Sequence, residues 1–179
     1  MNKVLKEVLN ISIYILVILV LTYFAVVFVG QRTSVIGSSM EPTLSDGDNL
    51  IVDKITYRFQ EPKRFDIIMF PYQYEKNTYY IKRIIGLPGE KIRIDEEGKI
   101  YINGEVLEEN YGKEVIVDAG LAVEEITLAD DEYFVMGDNR NDSADSRFLS
   151  VGNIRRESIV GRAWLRIYPL KSFGILKHA

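Results

Sequence analysis

The sequence predicts a mostly β protein behind a single N-terminal transmembrane helix. The soluble part reads as a β-barrel or sandwich-like domain with a small inserted β domain. Three observations predict this. Ile11 to Val29 is a run of 19 residues in which only Ser12 and Thr22 fall outside the apolar class. From Gly30 onward, short β-rich runs alternate with turn residues, and no helical period of useful length appears. Between about residues 91 and 130, charge and hairpin signals are denser than in the flanks. That stretch reads as an insertion or second β lobe, with one continuous sheet as the alternative.

The elements follow in order. As a helix, the apolar run spans roughly 28 Å at about 1.5 Å per residue, close to the hydrocarbon core of a bilayer. It lacks the polar stripe that a core helix of a soluble protein would carry. Lys3 and Lys6 precede it, with Glu7 the one acid. This bias places residues 1–10 in the cytoplasm, residues 11–29 in the membrane and residues 30–179 outside. A cleaved signal peptide is the competing reading. Its apolar stretch is usually about 7–15 residues and ends in a small-x-small site, whereas this run exits through Val26-Val27-Phe28-Val29-Gly30. Strands are predicted at Asn49–Val52, Asp66–Phe70, Tyr79–Ile85, Lys91–Ile94, Lys99–Ile102, Glu114–Val117, Glu132–Met136 and Ser158–Ile167. Asn103-Gly104 is a two-residue hairpin signal.

Composition removes several kinds of chemistry. Twenty-two Lys and Arg against 26 Asp and Glu leave a net charge of −4, with one His and no Cys. The absence of Cys rules out a disulfide scaffold, a Cys-ligated zinc or iron–sulfur centre and a thiol nucleophile. One His, at His178 near the end, argues against a His-based triad or a multi-His metal site. The negative charge offers no general electrostatic case for nucleic-acid binding. Catalysis would have to come from Ser, Thr, Lys, Asp, Glu, Tyr and Arg.

Three segments could carry it. Gly37-Ser38-Ser39-Met40-Glu41-Pro42-Thr43-Leu44 lies just outside the membrane, and its small residues before a Pro turn can leave a hydroxyl exposed beside backbone N–H groups. Taken alone it is also an ordinary turn. In Tyr79-Tyr80-Ile81-Lys82-Arg83-Ile84-Ile85, strand alternation puts Tyr80, Lys82 and Ile84 on one face and Arg83 on the other. Two readings stand: an edge strand charged against aggregation, or a lysine kept in apolar surroundings so that its amine is neutral. Each unit by which burial lowers a lysine pKa represents about 1.4 kcal/mol. A neutral lysine can take a proton from a serine, an attested nucleophile–base pairing. The third segment runs from Gly137 to Arg147 and is dense in turn formers and acids. The EF-hand template fails there, since its third, sixth and twelfth positions from Asp138 are Arg140, Ser143 and Leu149. A loop tied by Asp–Arg pairs and a support that orients the lysine are the two remaining readings.

In this order and behind an apolar anchor, the segments resemble type I signal peptidases, the Ser-Lys leader peptidases of bacteria. The matching pieces are Ser39-Met40-x-Pro42-Thr43-Leu44, Gly47-Asp48, Arg64-x-Asp66-Ile67, Tyr80-Ile81-Lys82-Arg83 with Gly86-Leu87-Pro88-Gly89, and Gly137-Asp138-Asn139-Arg140 with Ser143-x-Asp145-Ser146-Arg147. They spread from about residue 35 to residue 165. The resemblance implies Ser39 as nucleophile and Lys82 as general base. It implies that Ser143 bonds and orients Lys82, that Asp145 supports Ser143, and that Arg147 with Asp138 holds the loop. The serine's own backbone N–H belongs to the family's oxyanion hole. Val35, Met40, Leu44, Tyr80 and Ile81 match positions lining the family's shallow apolar pockets. The eukaryotic and archaeal branch uses His in place of the lysine, so the bacterial type is implied here.

Two positions depart from the family pattern. Some members carry a serine two residues before the nucleophile, whose hydroxyl joins the oxyanion hole. This chain has Gly37 there, which leaves the second donor to the backbone or absent. Many members read Asp-Asn where this chain reads Asn141-Asp142, a change from which little consequence is expected. The resemblance further implies removal of signal peptides from secretory preproteins with small residues at the first and third positions before the cut, next to membrane lipid, with no cofactor or metal. It implies a single-pass protein of a bacterial plasma membrane. Rival readings are a Ser-Lys peptidase dedicated to one substrate and an inert membrane-tethered β module that binds partners.

Overall fold

The computed structural model describes residues 3–24 and 30–176. Helix α1 covers Lys3–Phe24. It therefore starts before the apolar run that predicts it, and residues 25–29 of that run lie outside the described residues. Its side chains from Lys3 to Tyr23 are exposed. It is long and apolar enough to cross a membrane.

Twelve strands follow among the described residues, in two antiparallel sheets. The larger runs in the order β1 (Gly30–Ser34), β2 (Asn49–Asp53), β11 (Gly161–Tyr168), β3 (Ile67–Pro71), β4 (Tyr79–Gly86), β9 (Glu132–Met136) and β10 (Ile154–Arg155), with β12 (Gly174–Ile175) on β11. The smaller runs β7 (Glu105–Val106), β6 (Ile100–Ile102), β5 (Lys91–Ile94) and β8 (Ile126–Thr127). All four of its strands lie in sequence between β4 and β9.

The larger sheet is apolar on both faces, and the alternation of its strands shows why. Ile67 and Met69 of β3 join Val35, Met40, Leu44, Leu50, Val52 and Ile81 in one cluster. Ile68 and Phe70 of the same strand join Ile84, Tyr133 and Val135 in another. Ile85, Phe134 and Met136 pack instead with Ile92, Ile94 and Ile100 of the smaller sheet. β4 is therefore an interior strand between β3 and β9, buried from Ile81 to Gly86. β3 pairs with its residues 79–83 and β9 with its residues 83–86. The reading of its charges as an exposed edge fails because Lys82 and Arg83 are both buried.

The Asn103-Gly104 turn joins β6 to β7, with φ of 52° and 86° at its two residues. One predicted strand is absent. Glu114–Val117 has no ladder, and its backbone bonds to the Asn141 side chain instead. Val115 and Val117 point outward while Ile116 packs into the core with Ile92, Ile94 and Ile100, so the segment keeps the alternation without a partner strand.

Candidate active site

The sequence around Ser39 folds as consecutive turns between β1 and β2. Gly37 has φ +89°, a conformation that favours glycine, and its N–H donates to the Asp46 carboxylate at 2.8 Å. That N–H is thus taken. The Ser39 N–H meets no protein acceptor among the described residues, so it is the donor left for an oxyanion. Met40 and Leu44 anchor the two ends of the turn in the core.

Lys82 reaches this turn from the middle of β4. Its Nζ donates to Ser39 Oγ at 2.7 Å. The residue is 4% exposed. Burial pulls its pKa down to about 8, against the pull upward from the carboxylates of Asp145 and Asp138. Both carboxylates have their own cations. Asp138 takes Nε and Nη2 of Arg83 at 2.8 and 2.7 Å, both side chains being fully buried. Asp145 takes Nε and Nη2 of Arg147 at 2.8 and 2.9 Å. Such pairing blunts the field that would otherwise recharge the lysine. The Tyr80 ring lies 5.1 Å from Nζ and stacks on Tyr72 at 4.5 Å.

The 137–147 loop is bonded to the Ser39 turn through backbone and side chains. Asn139 N–H donates to Ser39 O at 3.0 Å, and Asn139 Nδ2 to Ser38 O at 3.2 Å. Thr43 Oγ1 donates to Asp138 at 2.6 Å. Gly137 lies where a Cβ would collide with Ser39 O and with the Ser143 side chain. Glycine is required there for close approach rather than for a turn.

Several expectations meet different partners. Ser143 Oγ is buried beside Gly137 without a hydrogen-bond partner, so the expected bond to Lys82 is not formed. Asp145 binds Gly137 N–H and Arg147 rather than Ser143. Arg147 pairs with Asp145 and the carbonyls of Asp118 and Arg140, while Asp138 pairs with Arg83. The loop is indeed tied by Asp–Arg pairs, but one arginine comes from β4. Arg83, Asn139 and the strict need for Gly137 escaped the sequence reading. Arg83 had a signal, since an arginine on an apolar interior strand needs a buried acid.

The Asn141-Asp142 order also has a use, contrary to expectation. Asn141 Nδ2 donates to Val115 O at 3.0 Å while its Oδ1 accepts Val117 N–H at 2.9 Å. Asp142 accepts the Ser38 hydroxyl. The reverse order would place a carboxylate where the donor to Val115 is needed.

A cavity of about 510 Å³ opens over the two side chains, with residues 33–40 on one wall and 77–82 on the other. Asp142 and Ala144 also line it. Val35, Met40, Tyr80 and Ile81 line it as expected, but Leu44 does not. Leu44 is fully buried with Leu50 and Val52.

A buried lysine bonded to a serine hydroxyl in the lining of an open cavity is the arrangement of a class: β-sheet serine peptidases with lysine in the place of histidine. Residues 7–168 match the model of the family described as signal peptidase, peptidase S26. The chain belongs to this family and is a serine peptidase, a hydrolase. It is 42% identical over 156 residues to signal peptidase I of Leptolyngbya laminosa, covering 83% of this chain and 74% of that protein. It is 40% identical over 154 residues to "Probable signal peptidase I-2" of Synechocystis sp., covering 83% and 68%. Against signal peptidase I P of Bacillus subtilis subsp. natto it is 37% identical over 163 residues, covering 87% and 86%.

Proposed function

We propose that this chain removes N-terminal signal peptides from secretory preproteins, with Ser39 as nucleophile and Lys82 as general base. The 2.7 Å approach of Lys82 Nζ to Ser39 Oγ inside a water-poor site carries the reading. In the neutral form the amine takes the Ser39 proton as Oγ attacks the scissile carbonyl. The charge that develops on the carbonyl oxygen meets the Ser39 N–H. Collapse of the tetrahedral species breaks the C–N bond, and the Lys82 ammonium returns its proton to the departing amine. The neutral amine next takes a proton from water, whose oxygen attacks the acyl ester, and Ser39 recovers its hydroxyl as the ester breaks. Arg83, Asp138, Asp145 and Arg147 keep the loop charges paired around this cycle.

The substrate lies extended between the 33–36 and 77–81 segments, adding a strand to the site. Val35, Met40, Tyr80 and Ile81 make shallow apolar walls that suit small residues at the first and third positions before the cut. Helix α1 anchors the protein in the plasma membrane of a bacterium. The Lys3 and Lys6 end is cytoplasmic and the β domain stands outside against membrane lipid. No cofactor takes part.

The test is cleavage of a purified preprotein by detergent-solubilised enzyme. Ser39→Ala and Lys82→Ala each lower the rate by at least about a thousandfold with an unchanged circular dichroism spectrum. Near-normal cleavage by either variant would overturn the assignment.

A further inference from the structure

The 108–118 segment leaves the smaller sheet after β7 and has no regular structure, yet it follows the 137–147 loop from end to end. Lys113 N–H donates to Asp138 O at 2.8 Å. Glu109 pairs with Arg140 at 2.8 Å, and Lys113 Nζ with Glu41 at 2.9 Å. Asn141 clasps Val115 and Val117, and Asp118 O accepts from Arg147 at 2.8 Å. The Tyr111 ring covers the Arg83 guanidinium at 3.7 Å and packs on Phe65 at 5.0 Å. On its other side the same loop holds Ser38, Ser39 and Thr43.

We propose that the 108–118 segment is a brace that sets the position of the 137–147 loop, with Tyr111 and Asn141 as its positioning residues. Tyr111 acts through Arg83. The guanidinium edge is occupied by Asp138, Phe65 O and Thr43, and the ring covers its face. Losing the ring admits water to a buried ion pair whose strength depends on exclusion of water. The Tyr111 hydroxyl makes no bond among the described residues, so the aromatic face is what matters. Asn141 acts directly, through one donor and one acceptor that an aspartate cannot supply together. Its Nδ2 also lies 3.3 Å from Glu114 Oε2, where a second carboxylate would be repelled. The smaller sheet thereby reaches the Ser39–Lys82 pair without touching it.

The inference rests on the peptidase reading, and its test keeps the two apart. Full-length Tyr111→Phe, Tyr111→Leu and Asn141→Asp proteins are assayed on a purified preprotein and by amide hydrogen exchange. Tyr111→Phe should stay within roughly twofold of wild type. Tyr111→Leu and Asn141→Asp should lose about tenfold in kcat, with KM changed less than about twofold. In Tyr111→Leu the pH at which the rate half-saturates should rise, because a loosened Arg83 leaves the Asp138 charge free to favour protonated Lys82. The Asn139 and Ser146 amides should exchange faster in both damaged variants while the β5 and β6 amides keep their protection. Equal activity of Tyr111→Leu and Tyr111→Phe would overturn the proposal. So would a change confined to KM, or loss of protection spread over the whole domain. A wild-type protein that cuts no preprotein would sink the peptidase reading, and the exchange experiment would still decide the brace.

Discussion

At residue scale, the proposed chemistry depends on keeping one amine dry. Burial draws Lys82 down to about 8, so roughly a tenth of it is neutral at pH 7, against well under a thousandth for a solvated lysine. At pH 8 about half of it is neutral, and the remaining twofold gain is nearly complete by about pH 9. We therefore expect kcat/KM to climb with pH, reach half its maximum near 8 and level off above about pH 9, measured as a pH–rate profile on a peptide without ionisable groups near the cut. A rate still climbing at pH 10 would mean a solvated amine. Lys82 and Ser39 stood out through the motifs that carry the resemblance, and the fold brings them to 2.7 Å. Their partners were less legible. Arg83 and Asp138 are 55 positions apart and meet only because β4 and β9 are neighbours.

At the scale of elements, local pattern served where the segment had a sheet to join. Lys91–Ile94 and Glu132–Met136 form strands with the expected bounds. Glu114–Val117 has the same alternation but no sheet to join, and the loop opposite supplies its hydrogen bonds. The polar β1 and the two-residue β7, β8, β10 and β12 carried too little apolar signal to be read. The Asn103-Gly104 turn was the clearest local signal. Gly104 has φ +86° with open space where a Cβ would sit. Gly104→Ala should thus destabilise the domain by about 1 kcal/mol through backbone strain alone, read as a lowered midpoint of denaturant unfolding. Preprotein cleavage at temperatures well below that midpoint should be unaffected. A tenfold loss of cleavage would tie this hairpin to the site more closely than its position in the smaller sheet allows.

At the scale of the molecule, anchor and site form one device. Tethering confines enzyme and membrane-held substrate to a shared layer and raises their effective concentration. A protein beginning at Gly30 should keep its rate on a soluble peptide in detergent. On preprotein embedded in lipid vesicles it should lose on the order of 100-fold relative to the full chain. Equal losses on both substrates would mean that α1 supports the fold rather than the encounter.

The sequence by itself determined the apolar helix and the β character of the remainder, because these rest on composition and short-range periodicity, and its motifs carried the resemblance from which serine with lysine is proposed. Only the tertiary structure decided which acid meets which base, that Gly137 must lack a side chain, and that the 108–118 segment lies along the active loop. Each of those depends on two stretches of chain distant in sequence approaching to within a few ångströms. No local pattern records such an approach.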